Sequence, residues 1–239
     1  MILNPANGIS TPGKDGVINA TAGGGGALAV NSQMPTQTAQ YVASQTSPWT
    51  FSFTNTSGTV LYLAVMVGDN TSTVAATYNA VAMTSLGTTA TVGGTSQKLQ
   101  LFRLTSPATG ANTFSITFTA GAETVAAGAI SFTGNNATPD TGTATTANDG
   151  SDFSHTAFPL TLTSTTSGNI GIQAVMFGDP AYSSVSGTLS SNTAAHPDGG
   201  GTGNNFSLQY ASVTTTSLVL TTNGTTATSW ATIGIEVKH

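Results

Sequence analysis

A chain of 239 residues, 38% of them hydrophobic and 5% charged, is long enough for one large all-β domain or two small ones. With four Lys and Arg residues it has no basic patch, which excludes nucleic-acid and anionic-membrane binding because both depend on neutralising phosphate charge. The chain has no cysteine, which excludes disulfides and thiolate metal sites.

The first 46 residues differ from the rest in being rich in Pro and Gly, including the glycine run at 23–26. They nevertheless contain several branched aliphatic side chains, for which a flexible tail has little use. We therefore predict an extended arm over residues 1–46, with at most two short strands, that packs onto another chain. A disordered tail is the alternative. The apolar side chains of the arm are Ile2, Leu3, Ile9, Val17, Ile18, Leu28 and Val30.

From Trp49 onward, short strand-like runs alternate with Gly, Asn, Pro and Asp. This spacing is typical of a sandwich or a barrel. The first set of predicted strands covers residues 50–54, 59–67, 74–78, 81–85, 98–104, 113–119 and 125–132. The second set covers 160–163, 169–177, 185–189, 206–211, 217–221 and 230–237. Asn79 and Ala80 mark a tight reversal between two of these strands.

One segment occurs twice: residues 57–69 read SGTVLYLAVMVGD and residues 167–179 read SGNIGIQAVMFGD. The two copies alternate in the same phase, and a two-residue period places the matched side chains on one face of a strand. The other face changes freely, as Leu61 becomes Gly171. We expect the matched side chains to share one core: Val60, Tyr62, Ala64 and Met66 with Ile170, Ile172, Ala174 and Met176.

The repeat predicts a sandwich domain over residues 47–239 that is built from two related halves, about 49–134 and 158–238. Residues 134–157, which join the halves, are polar enough for a surface loop. The final strand is strongly apolar and would be an aggregation hazard as a free edge. It must therefore be paired within a sheet, and the two halves are expected to close one core.

Several sequence motifs carry a resemblance over about residues 49–238. VAATYNAVAMTSLG is followed by KLQLFRL, SPATGANTFSITF and AAGAISFTG, and SWATIGIEV closes the chain. This pattern resembles a β-sandwich module that recurs in bacteriophage virion proteins and in bacterial secreted or surface proteins. The resemblance implies a jelly-roll-like antiparallel sandwich with a structural or adhesive role, and no catalytic residues.

Acidic residues provide weak candidates for a calcium site. Asp140, Asp149 and Asp152 fall in one connecting segment, from which several oxygen ligands could converge. Solvated loop acids are the alternative. Asp69 and Asp179 end the two copies of the repeat, where an aspartate commonly accepts backbone N–H groups in a turn.

Two further interpretations concern ligands and catalysis. Trp49, Tyr182 and Tyr210 offer aromatic faces for a glycan platform, although such residues more often anchor a core. His155 and His196 have nearby Ser and Asp residues, but there is no G-x-S-x-G elbow. The sequence therefore predicts no enzyme, no cofactor and no catalytic residues.

Together these patterns favour a structural virion protein of a bacteriophage: a capsid decoration, fibre or tail component. Its partners would be itself, in a homo-oligomer, or other virion subunits. The N-terminus lacks a secretory pattern, so we expect assembly in the host cytoplasm and residence in the virion. The alternative is a carbohydrate-binding or adhesin module of a bacterial surface or secreted protein, with a host surface glycan as its ligand.

Overall fold

A computed structural model of the chain describes residues 26–34, 40–90, 97–149, 154–178, 182–193 and 205–239. These residues form antiparallel β-sheets and no helix, which confirms the predicted all-β class. We call residues 26–133 the first half, residues 134–144 the connector and residues 145–237 the second half.

The first half contains two sheets. One has the order β1-β10-β4-β8-β7, with β2 also paired to β10, and the other has the order β3-β9-β5-β6. The strands are β1 (Ala29–Gln33), β2 (Gln40–Gln45), β3 (Trp49–Asn55), β4 (Val60–Val67), β5 (Val74–Tyr78), β6 (Val81–Ala82), β7 (Thr84–Ala90), β8 (Lys98–Thr105), β9 (Gly110–Phe118) and β10 (Glu123–Thr133).

The second half also contains two sheets, with the orders β11-β18-β13-β16-β15 and β12-β17-β14. Its strands are β11 (Thr145–Asn148), β12 (Ala157–Thr163), β13 (Ile170–Phe177), β14 (Tyr182–Val185), β15 (Thr188–Thr193), β16 (Asn205–Ser212), β17 (Ser217–Gly224) and β18 (Trp230–Val237). The order β18-β13-β16-β15 repeats β10-β4-β8-β7, and β12-β17-β14 repeats β3-β9-β5.

The two larger sheets pack face to face through one apolar layer, which we call the inter-half core. All eight side chains that the repeat predicts to share a core belong to this layer, so that prediction is confirmed. The layer also takes residues from the neighbouring strands of both halves. Its further members include Leu99, Leu101, Ile130, Phe132, Phe206, Leu208, Ile233 and Val237.

The opposite faces of β4 and β13 are buried as well, contrary to the expectation that they vary freely. In the first half, Leu61 and Leu63 pack on the aromatic residues of β3 and β9. In the second half, a Cβ added to Gly171 would lie 2.3 Å from a methyl carbon of Leu218. The replacement of Leu61 by Gly171 is therefore a consequence of closer sheet packing.

The interior of the second half is partly polar. Gln209 donates a hydrogen bond to Gln173 over 2.5 Å, and Gln173 donates one to the carbonyl of Phe158 over 3.0 Å. Both glutamine side chains are fully buried. Buried amides of this kind need mutual partners, and this network supplies them.

Part of the predicted arm belongs to the folded domain. Strands β1 and β2 both pair with β10 of the same chain. Leu28 is a member of the inter-half core and Val30 packs against it, so the prediction that these two side chains pack onto another chain is wrong. Ile2, Leu3, Ile9, Val17 and Ile18 lie outside the described residues.

Residues 134–157, for which the sequence predicts a surface loop, do not form a simple loop. They consist of the connector, strand β11 and the residues that follow it, and β11 pairs with β18. Pro139 and Asp140 are buried, and the Pro139 carbonyl accepts the Lys238 N–H over 2.7 Å. The polar composition misled the sequence prediction because hydroxyl side chains are compatible with a paired edge strand.

The hairpin between β5 and β6 has a two-residue turn in which Asn79 and Ala80 have φ values of 50° and 61°. Positive φ at both positions is the geometry that matches the twist of the flanking strands. The reversal predicted here is confirmed. The predicted strands at 81–85 and 185–189 are each interrupted in the structure, between β6 and β7 and between β14 and β15.

The inter-half core should dominate stability. Ile172→Ala removes a fully buried side chain from this layer and should lower the free energy of unfolding by about 3 kcal/mol. The matched change Val219→Ala, at a residue that is 51% exposed, should cost about 0.5 kcal/mol or less. Denaturant unfolding followed by tryptophan fluorescence measures both. Equal effects would show that the two halves do not depend on this layer.

Candidate functional site

A buried charged cluster lies where the connector meets the first half. Asp140 is fully buried and accepts the Tyr62 hydroxyl over 2.6 Å and an Arg103 guanidinium N–H over 2.5 Å. The backbone N–H of Gly142 adds a third bond, over 2.7 Å. Tyr62 and Arg103 are direct cross-strand neighbours on β4 and β8. Charge-assisted bonds of this kind fix the connector against the sheet.

The tyrosine of this cluster is held in its neutral form. Burial raises the pKa of Tyr62 far above its usual range, and the neighbouring Asp140 carboxylate raises it further. A phenolate here would lose its hydration and face a negative charge. The hydroxyl therefore acts as a permanent hydrogen-bond donor to Asp140.

A cleft of about 230 Å³, which we call the edge cleft, lies beside the end of β18. Leu162 and Ile235, which are almost fully buried, contribute its apolar lining. Glu236 and Lys238 contribute opposite charges. The remaining lining residues are hydroxylic: Thr141, Thr145, Thr163, Ser164 and Thr166.

The Glu236 carboxylate is fixed in this cleft. The side chain is 8% exposed, and its Oε1 accepts the backbone N–H of Thr166 over 2.6 Å and the amide of Asn169 over 3.0 Å. No ion pair joins Lys238 to Glu236. The cleft therefore presents an oriented acceptor and a cation that do not neutralise each other.

The calcium candidates do not converge within the described part of the chain. Asp140 is committed to Arg103 and Tyr62, and Asp149 accepts the backbone N–H of Trp230 over 3.1 Å. Asp152 lies outside the described residues. No group of three or more His, Asp or Glu side chains suited to a metal occurs in the ranges that the structure covers. Both described aspartates are buried, so they are not solvated loop acids either.

The predicted turn role of Asp69 is confirmed. Its Oδ1 accepts the Thr71 N–H over 2.8 Å, and this backbone bond lowers the pKa of the Asp69 carboxyl. Asp179, the matching residue of the second copy, lies outside the described residues.

The glycan platform is not formed as predicted. Trp49 is 4% exposed and packs in the interior of the first half, with its ring centroid 4.9 Å from that of Phe51. Tyr210 packs against the inter-half core instead. Trp49 and Tyr210 thus belong to different apolar layers, and the side chain of Tyr182 is outside the described part. Among the histidines, His155 is exposed, and His196 is not described.

The sequence reasoning missed Tyr62 as a hydrogen-bond donor to a carboxylate, and it missed Arg103, Glu236 and Lys238 as site residues. The small number of charged residues is a signal that could have identified these site residues. Only 5% of the residues are charged, so an Arg or a Glu within a predicted apolar strand needs a partner or a function. The identity of each partner depends on which strands become neighbours, and the sequence does not show that.

Comparison of the chain with protein-family models, with curated proteins and with solved structures found no significant similarity. The described residues contain no helix of the length and apolarity needed to cross a bilayer.

Removing the carboxylate at the connector should destabilise the fold. Asp140→Ala leaves the Arg103 guanidinium and the Tyr62 hydroxyl without their acceptor, and the free energy of unfolding should fall by about 3 kcal/mol. Asp69→Ala removes a partly exposed acid whose hydrogen bonds are to Thr71 in its own turn, and it should have a clearly smaller effect. Urea titration of both variants tests this. Equal losses would mean that the cluster contributes no more than an ordinary turn.

Stability should also fall at alkaline pH because of Tyr62. Its pKa is raised in the folded state, so its contribution is complete below the unfolded pKa of about 10 and is lost as pH rises above that value. The expected slope is about 1.4 kcal/mol per pH unit. In Tyr62→Phe, the free energy of unfolding at neutral pH should be about 1 kcal/mol lower than in the unmodified protein. Its decrease at alkaline pH should lack the contribution that comes from ionisation of Tyr62. Identical slopes between pH 9 and 11 in both proteins would contradict this.

Proposed function

We propose that this chain is a structural, non-enzymatic virion protein of a bacteriophage that acts through protein–protein assembly, as a capsid decoration, fibre or tail component. Its partners would be further copies of itself or other virion subunits, and it would be assembled in the host cytoplasm. The observation that carries the proposal is the chemistry of the two outermost sheet faces.

The outward faces of both smaller sheets are uncharged and hydroxyl-rich. Val219 is 51% exposed at the centre of one of these faces, and Val81 is 53% exposed at the edge of the other sheet. Packing copies against such faces removes no charge from water, so the association avoids the cost of desolvating unpaired charges. Their exposed members include Thr50, Ser52, Thr54, Thr113, Thr117, Pro159, Thr161 and Thr163.

The strand order gives a second line of support. In the first half, β2-β10-β4-β8 faces β3-β9-β5-β6, and we propose that this is a jelly roll. Because the second half repeats these pairings, we further propose that the two halves are related copies. Jelly rolls occur in viral capsid proteins and also in lectins and cupins, so this support is an analogy at the level of fold.

The remaining part of the arm, residues 1–25, is the candidate assembly segment. It carries Ile2, Leu3, Ile9, Val17 and Ile18. Each side chain could contribute about 1.5–3 kcal/mol when buried, and the entropy cost of ordering the backbone would offset most of that gain. Attachment through this segment is therefore expected to be reversible and to depend on the concentration of subunits.

Removing residues 1–25 should separate folding from assembly. The full chain should form a closed homo-oligomer by native mass measurement and sedimentation. Residues 26–239 should keep the melting temperature but remain monomeric, because β1 and β2 stay in place. Deleting residues 1–46 is the wrong test, since it also removes Leu28 and Met34 from the core.

The result also discriminates between the proposed functions. A full chain that stays monomeric at high concentration would contradict the proposed assembly of the chain with itself. Such a monomer that bound a glycan array would support an adhesin module of a bacterial surface instead.

A further inference from the structure

The edge cleft occupies a strand position that is filled in the first half. Phe132 of β10 and Val237 of β18 hold equivalent positions in the two halves. Phe132 pairs with Val60 on β4, and Val237 pairs with Ile170, the residue on β13 that matches Val60 in the repeat. In the first half, β1 pairs with β10 from Ile130 to Thr133. In the second half, β11 pairs with β18 only from Ala231 to Gly234.

Beyond that point the outer edge of β18 is only partly covered. The connector bonds to Lys238, whose N–H donates to Pro139 over 2.7 Å and whose carbonyl accepts from Asn136 over 3.1 Å. Between Gly234 and Lys238 the described residues supply no backbone partner for Glu236 on this side. The edge cleft lies beside this gap and is lined by Thr145, Glu236 and Lys238.

The size and chemistry of the cleft suit a peptide segment. At about 230 Å³ it is smaller than the ~300–1,000 Å³ usual for sites of drug-sized ligands. An unpaired strand edge bonds to an extended chain through main-chain groups, and neighbouring side chains supply the specificity. Here those neighbours are the fixed Glu236 carboxylate and the Lys238 ammonium, which has no ion-pair partner in the described part of the chain.

Residues 1–25 carry a charge that is complementary to Lys238. Their one anionic side chain is Asp15. The arm also leaves the described part of the chain near the cleft. Gly134, which has a φ of 74°, approaches Gly26 so closely that an added Cβ would lie 2.1 Å from the Gly26 carbonyl oxygen. Gly134 lies two residues before Asn136, which bonds to Lys238.

The arm is long enough to reach a second copy of the chain. Asp15 precedes Gly26 by 11 residues (26 − 15), a span of up to about 40 Å when extended. An arm and an acceptor at the same edge also permit reciprocal exchange about a two-fold axis.

We propose that the edge cleft is the acceptor for residues 1–25 of a second copy of this chain, with Asp15 directed to Lys238. This inference rests on the proposed assembly function and identifies its contact site. The arm segment lies beside β18 at the position that β1 occupies beside β10.

Because the chain contains no cysteine, disulfide trapping tests the contact directly. Full-length Val17→Cys is mixed with full-length Thr145→Cys, whose position is exposed in the cleft. Mild oxidation should give a cross-linked heterodimer. Val17→Cys with Thr73→Cys, at an exposed position in the loop before β5, is the control and should give only background. Equal cross-linking in both mixtures would overturn the proposal.

Two further measurements separate the outcomes. A variant with both Val17→Cys and Thr145→Cys that closes an intrachain disulfide upon dilution would assign the cleft to the chain's own arm and overturn the exchange. Asp15→Lys and Lys238→Glu should each raise the dimer dissociation constant about fivefold, and their combination should restore it. Asn4→Lys is the control in the same arm and should change nothing.

The failure of this inference can be distinguished from that of the proposed function. A monomeric full-length protein would refute self-association, and with it the exchange of arms, and would leave only docking onto other virion subunits. A stable oligomer with no arm–cleft cross-link and no charge-reversal effect would refute only the acceptor site, and would leave the outer sheet faces as the assembly surface.

Discussion

The face-to-face packing of the two larger sheets is the contact on which the rest of the structure depends. Because β4 and β13 each lie centrally in a sheet and are buried on both faces, neither half presents an ordinary solvated surface to the other. Separating the halves would expose a layer that includes Tyr62, Phe132 and Phe206 to water. The halves therefore form one folding unit, although each has its own pair of sheets.

This packing also explains where the few charges lie. Arg103 faces the edge of the inter-half core and requires an anion, which the connector supplies as Asp140. The same residue accepts the hydroxyl of Tyr62, a member of the repeated segment. The ion pair and the Tyr62 hydrogen bond thus link the connector to β8 and β4, two of the strands that contribute side chains to the inter-half core. In a chain with so little charge, each ionic contact has a specific structural consequence.

The two halves differ in how completely they cover an outer strand edge. The first half covers the edge of β10 with β1 and β2, whereas the second half covers β18 with the short β11 and part of the connector. An incompletely covered strand edge is a general site for strand addition. Glu236 and Lys238 line the cleft beside this edge and place two opposite charges there.

The sequence by itself determined the all-β class, most strands and the eight side chains of the shared core, because a two-residue period and a repeated segment are local signals. It also identified the Asn79–Ala80 turn, whose chemistry is local. Only the tertiary structure decided that Leu28 packs within its own chain, that Trp49 is interior and that Asp140 meets Arg103. Each of these facts depends on which strands, distant in the sequence, become neighbours in space. A strand's own residues indicate which of its faces is apolar, but they do not specify whether another sheet will cover its opposite face.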